Sequence, residues 1–195
     1  MWRREGTRGT GHDEHARYTE DAATWHRMMD RLKRKYEMAR KLVPASVLHK
    51  LPGATAGILA FGSTEAAVLE ARHQLATEHD LKADFLRVRA LPFTDDVREF
   101  VEKYDVLYVV DMNRDGQMAQ LLHLEYPEQA TKFRSVAHGD GLPAAASWIR
   151  EGILAQRADA GKTGKSRRAV IARKAPRSKA KAAVKRKTAS RARRK

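Results

Sequence analysis

The stretch VLYVVDMNRDGQMAQLLHLEYPE, residues 106–128, decides the fold. Val106–Val110 is a continuous apolar, β-rich run, the pattern of a strand buried on both faces. Asp111–Gly116 is polar and reads as a loop. Gln117–Tyr126 then takes helical spacing, with Met118, Leu121 and Leu122 on one face. The same alternation continues outward in both directions. Upstream, Thr94 is a fair N-cap for a helix whose first turn holds Asp95 and Asp96, and Val97, Phe100, Val101 and Tyr104 form its inner stripe. Before it, Phe85–Ala90 is strand-like. Arg87 and Arg89 alternate there with Leu86 and Val88, which predicts an edge strand or one with a wet face. Ala56–Phe61 is a further buried run. Ser63 or Thr64 opens a helix to about Glu78, with Val68, Leu69, Ala71 and Leu75 inward. Downstream lie a weaker strand, Phe133–Ala137, a Gly/Pro turn at 139–143, and a helix over Ala144–Gln156 with Trp148, Ile149 and Ile153 inside. The order β-α-β-α-β-α-β-α predicts an α/β fold: a mostly parallel sheet of about four strands with helices on both faces.

Outside this block the composition changes. The chain has 195 residues and a net charge of +15. Residues 162–195 hold 16 basic residues and no acid, whereas residues 54–161 hold 11 basic and 17 acidic ones. The domain is mildly acidic and the basicity belongs to a tail. Residues 157–195 are low in complexity and lack aromatics, so they are expected to be disordered. Residues 1–53 read as a linker with one amphipathic helix. Thr19 or Asp21 caps it, it runs to about Leu42, and Trp25, Met28, Met29, Leu32, Tyr36 and Ala39 form its apolar stripe. Val43-Pro44 ends it. The expected organisation is 1–53 linker and helix, 54–156 α/β domain, and 157–195 basic tail.

The absence of cysteine excludes disulfides, thiolate zinc sites, Cys-held iron–sulfur clusters and a Cys nucleophile. No apolar run approaches the roughly 20 residues of a transmembrane helix. The N-terminus has no secretory h-region. A soluble, cytoplasmic protein without a membrane partner is expected.

Few motifs carry chemistry. Gly62-Ser63-Thr64-Glu65 follows a strand and opens a helix, a place where doubly wound folds hold phosphates, but Glu65 repels an anion and a plain turn and cap explains it as well. Asn113-Arg114-Asp115-Gly116-Gln117 sits at the carboxyl edge of the sheet, facing a ligand or a partner, or simply capping the loop. Gly161-Lys-Thr-Gly-Lys-Ser166 lacks the first P-loop glycine, since Asp159 stands there. His123-x-Glu125 lacks the cysteines of a zinc deaminase. His12-Asp13-Glu14-His15 is a weak chelating cluster at most. In the tail, Lys162, Lys165, Arg167, Arg168, Arg173, Lys174, Lys185, Arg186, Lys187, Arg193, Arg194 and Lys195 are candidates for non-specific, salt-sensitive contact with nucleic acid.

Five blocks carry a resemblance: GHDEHARYTED (11–21) followed by MMDRLKRKYE, AGILAFGSTEAAVLEA (56–71), LRVRALPFTDDVREF (86–100), the opening stretch at 106–128, and GDGLPAAASWIREGI (139–153). In this order and spacing the sequence from Gly11 to Leu154 resembles the C-terminal part of the alpha subunit of 2-oxoacid:ferredoxin oxidoreductases, the 2-oxoglutarate type in particular. The resemblance implies a transketolase C-terminal-like α/β domain. It also implies membership in a complex that decarboxylates a 2-oxoacid to an acyl-CoA with thiamine diphosphate, Mg²⁺ and an iron–sulfur cluster. Those groups sit on the beta subunit and on the preceding alpha domain. This chain is therefore expected to bind no cofactor or metal, to carry no catalytic residue, and to be inactive alone. At most Gly62, Ser63, Thr64, Asn113 and Gly116 match family positions at the carboxyl edge. The implied partners are the beta subunit and the N-terminal alpha portion, with self-association through the helix at 21–42. The alternative is a non-enzymatic α/β scaffold tethered to nucleic acid by its tail, which lies outside the family pattern.

Overall fold

A computed structural model of the chain describes residues 11–159. The first element is helix α1, Ala22–Leu42. Asp21 caps it, its carboxylate accepting the Thr24 N–H at 2.8 Å. Extended backbone at Val43, before Pro44, stops it. Then come β1 (Val47–His49), β2 (Ala56–Phe61), α2 (Glu65–Glu78), β3 (Ala83–Val88), α3 (Asp95–Lys103), β4 (Leu107–Asp111), α4 (Gln117–Glu125) and β5 (Phe133–Ala137). Single 3-10 segments, Gly62–Thr64 and Pro127–Lys132, precede α2 and β5. Helix α5 begins at 146 and its described part runs to 159.

The strands form one sheet in the order β1-β3-β2-β4-β5. β3, β2, β4 and β5 pair in parallel, the four-stranded sheet the alternation predicts. A fifth strand is added: β1 runs antiparallel on β3, Val47 opposite Arg87 and His49 opposite Phe85. Three residues are too short for a periodicity to show. β1 corrects the reading of β3, which is an interior strand and not an edge. Arg87 points out of its pleat but is half-buried, because it pairs with Glu65 at 2.8 Å.

Alternate side chains of each strand feed two cores. On one face Ile58, Phe85, Tyr108 and Val136 meet Val68, Ala71 and Leu75 of α2 and Ile149 and Ile153 of α5. On the other, Leu59, Leu86, Leu107 and Val109 meet Val97, Phe100 and Val101 of α3 and Met118 and Leu122 of α4. Helices therefore cover both faces. Leu121 does not turn inward as expected and is 40% exposed. Thr94 occupies the N-cap position of α3 but makes no side-chain cap bond. Gly57, near the start of β2, is fixed by packing: a Cβ there stands 2.7 Å from both Leu107 and Phe100.

α1 behaves differently. Only Met28 of its stripe is buried, while Trp25, Met29, Leu32 and Tyr36 are 38–53% exposed. The helix is tied down near its C-terminal end. The Arg40 guanidinium donates to the Phe93 carbonyl at 2.6 Å and pairs with Glu125 at 2.6 Å. Among the described residues no helix is long and apolar enough to cross a membrane.

Candidate functional site

The sheet order creates the site. From β2 the chain turns to β3 on one side, and from β4 it turns to β5 on the other. The loops after β2 and β4 diverge there, and α/β sheets bind ligands in the crevice this leaves at the carboxyl ends. A cleft of about 540 Å³ lies at this edge. It is lined from the ends of β2 (Phe61, Gly62), β3 (Val88 to Leu91), β4 (Asp111 to Asn113) and the start of α4 (Gln117, Met118, Leu121).

Each loop is shaped by its own chemistry. Gly62 has φ +66° with open space around it, a left-handed turn suited to glycine. The Thr64 hydroxyl donates to the Phe61 carbonyl at 2.7 Å, so this buried side chain closes the turn. Glu65 follows, and its carboxylate is held between Arg87 at 2.8 Å and His49 at 3.2 Å. After β4, the buried Asp111 turns its carboxylate onto the Met118 N–H at 2.9 Å and thereby caps α4. Asn113 accepts the Asp115 N–H at 2.8 Å in a tight turn. Gly116 enters α4 with φ +61°, where a Cβ stands 2.6 Å from the Ser135 hydroxyl.

Of the five candidates read from the sequence, Gly62 and Asn113 line the cleft. Ser63, Thr64 and Gly116 do not. Thr64 and Gly116 shape the loops behind it. Phe61, Arg89, Leu91, Met112 and Leu121 also line it, and sequence reasoning missed them as a group. The one legible signal was the wet alternation at Arg89. Among the described residues the Arg89 side chain makes no hydrogen bond or ion pair.

The other motifs resolve into structure. His123 bonds the Ala119 carbonyl at 2.6 Å and the Ala130 carbonyl at 3.2 Å, and Glu125 pairs with Arg40. In the His12–His15 segment the Asp13 carboxylate accepts the N–H groups of His15 and Arg17, each at 2.9 Å. No group of three or more His, Cys, Asp or Glu is placed to hold a metal ion among the described residues. The Gly161–Ser166 motif and the basic candidates from Lys162 to Lys195 lie outside the described residues.

At the opposite edge of the sheet sits a buried carboxylate, Asp84, 2% exposed. It accepts from the Tyr104 hydroxyl, from the Leu51 N–H at 2.7 Å and from Lys103 at 3.0 Å. Burial works to raise its pKa. The three donors outweigh burial and hold the carboxyl below the usual range. Burial pushes the Tyr126 hydroxyl up to about 12, and among the described residues this group has no hydrogen-bond partner.

No family model matches the chain. Over 119 residues the chain is 35% identical to subunit alpha of 2-oxoacid:ferredoxin oxidoreductase 2 of Aeropyrum pernix. The chain resembles part of a 2-oxoacid:ferredoxin oxidoreductase alpha subunit. The match takes in 58% of this chain and 18% of that protein. A solved 2-oxoglutarate:ferredoxin oxidoreductase from Magnetococcus marinus, with 2-oxoglutarate, coenzyme A and succinyl-CoA bound, superposes with a TM-score of 0.60 at 23% identity. That likeness, one of fold, covers 76% of this chain and 26% of the other. The chain thus spans about a fifth to a quarter of the length of these oxidoreductase relatives. Neither relative supports the nucleic-acid scaffold reading.

Proposed function

We propose that the chain serves as one structural piece of a 2-oxoacid:ferredoxin oxidoreductase and supplies assembly surface, not a reactive centre. The observation that carries this reading is the 35% identity over 119 residues to an oxidoreductase alpha subunit. The exposed apolar stripe of α1 supports it. Trp25, Met29, Leu32 and Tyr36 need a covering surface, and another part of the same complex provides one. The donor chemistry agrees. A chain without cysteine has no thiolate for an iron–sulfur cluster, and on this reading the cluster, thiamine diphosphate and its Mg²⁺ are held by the beta subunit and the preceding alpha domain. No step of the reaction runs through residues of this chain. 2-Oxoglutarate is the favoured substrate of the assembled complex, in keeping with the Magnetococcus marinus neighbour.

The test is co-expression of the full chain with the beta subunit and the remaining alpha portion encoded in the same genome. Co-elution on gel filtration is expected, together with CoA-dependent acceptor reduction by 2-oxoglutarate that requires this chain. The double variant Met29→Asp, Leu32→Asp should abolish co-elution. A chain that elutes alone beside an assembled, active complex overturns the reading.

A further inference from the structure

We propose that the cleft at the carboxyl ends of β2, β3 and β4 binds a small amphipathic carboxylate: an apolar chain or ring carrying a single acid group. This goes beyond the oxidoreductase reading and stands apart from it.

The walls dictate the body of the ligand. Val88 and Met118 are 3% and 6% exposed and form a closed apolar floor. Phe61, Leu91, Met112 and Leu121 rise around it, each 37–51% exposed. Large apolar side chains left this open around one concavity mark a site that an apolar partner covers. Two of the lining residues are methionines, whose flexible thioethers adapt to chains of varied shape. The volume, about 540 Å³, is that of a small-molecule site.

Charge dictates the head group. Two ionisable side chains line the cleft, Arg89 and Asp111. Asp111 is 1% exposed and already accepts the Met118 N–H, so it offers little to a cation. Glu65 is ion-paired with Arg87 at 2.8 Å and lies within hydrogen-bond reach of His49, so the acid closest in sequence to Gly62 is already engaged. Arg89 is exposed and unpaired among the described residues. A guanidinium fork matches a planar carboxylate with two parallel hydrogen bonds. The exposed Gln117 amide adds a donor at the same edge.

The full chain contains six methionines: Met112 and Met118 in the cleft, Met28, Met29 and Met38 on α1, and Met1. Labelling their methyl groups with ¹³C makes the apolar surface of α1 an internal control. Titration with octanoate should shift the Met112 and Met118 methyls saturably and leave the α1 methyls in place. Octanol, which lacks the charge, should bind about tenfold more weakly. Arg89→Gln, an exposed change, should weaken octanoate by a similar factor. The proposal fails if the cleft methyls do not saturate, if all methyls shift in step, or if octanol or the Arg89→Gln variant binds as tightly. It also fails if the cleft methyls answer only to added oxidoreductase subunits, for the cleft is then a protein contact.

Discussion

Asp84 shows how one side chain couples the sheet to its surroundings. Its carboxylate joins β3 to Lys103 and Tyr104 at the C-terminal end of α3, and to the Leu51 backbone before β2. Asp84→Asn should destabilise the chain by about 1–3 kcal/mol at neutral pH, because buried donors lose a charged acceptor. The pH dependence follows from the lowered pKa. The unfolded carboxyl titrates near about 3.9. Its contribution is present above that value and is lost as pH falls through the lower folded pKa. Urea unfolding at pH 7 and pH 3 should therefore show a wild-type advantage that shrinks at the acid end. Tyr126 is the opposite case. Its hydroxyl is buried without a partner among the described residues, so Tyr126→Phe should leave stability unchanged or raise it by up to about 1 kcal/mol in thermal unfolding.

Among the elements, α1 stands apart from the rest. Every other described helix buries a face against the sheet, whereas α1 is held chiefly by Arg40, through Phe93 and Glu125. Removing that anchor should free the helix without unfolding the sheet. Arg40→Ala should speed hydrogen exchange of the α1 amides by at least tenfold, with β2 and β4 unchanged. Loss of protection across the whole chain would show that α1 is integral to the core. β1 plays a complementary part. Three antiparallel residues cover β3, which the sequence reads as an edge strand or one with a wet face, and His49 of β1 stacks on Phe85 at 5.3 Å.

At the scale of the molecule, two apolar surfaces among the described residues stand open beside the filled cores. One is the α1 stripe, the other the carboxyl-edge cleft. Leu32 is exposed, so its change to Asp should alter folding stability by no more than about 0.5 kcal/mol. The loss of co-elution expected of the Met29→Asp, Leu32→Asp variant then reports assembly and not misfolding. The cleft variant Arg89→Gln should leave that co-elution intact, since the two surfaces use different elements.

The sequence by itself determined the α/β class, the parallel sheet with helices on both faces, the end of α1, and the resemblance to an oxidoreductase alpha subunit; it left the cap of α1 open between Thr19 and Asp21, and the structure places it at Asp21. Those readings rest on hydrophobic period, caps and ordered blocks, all local along the chain. Tertiary structure decided the rest. Pairing with β1 made β3 interior, a contact between segments some forty residues apart that no local pattern carries. The position of α4 left Leu121 at the cleft although its spacing matches the buried Met118 and Leu122. The cleft itself joins residues from the ends of three strands and one helix. Only the strand order brings Phe61, Arg89 and Met112 to one edge, so their shared role was not legible from their separate places in the chain.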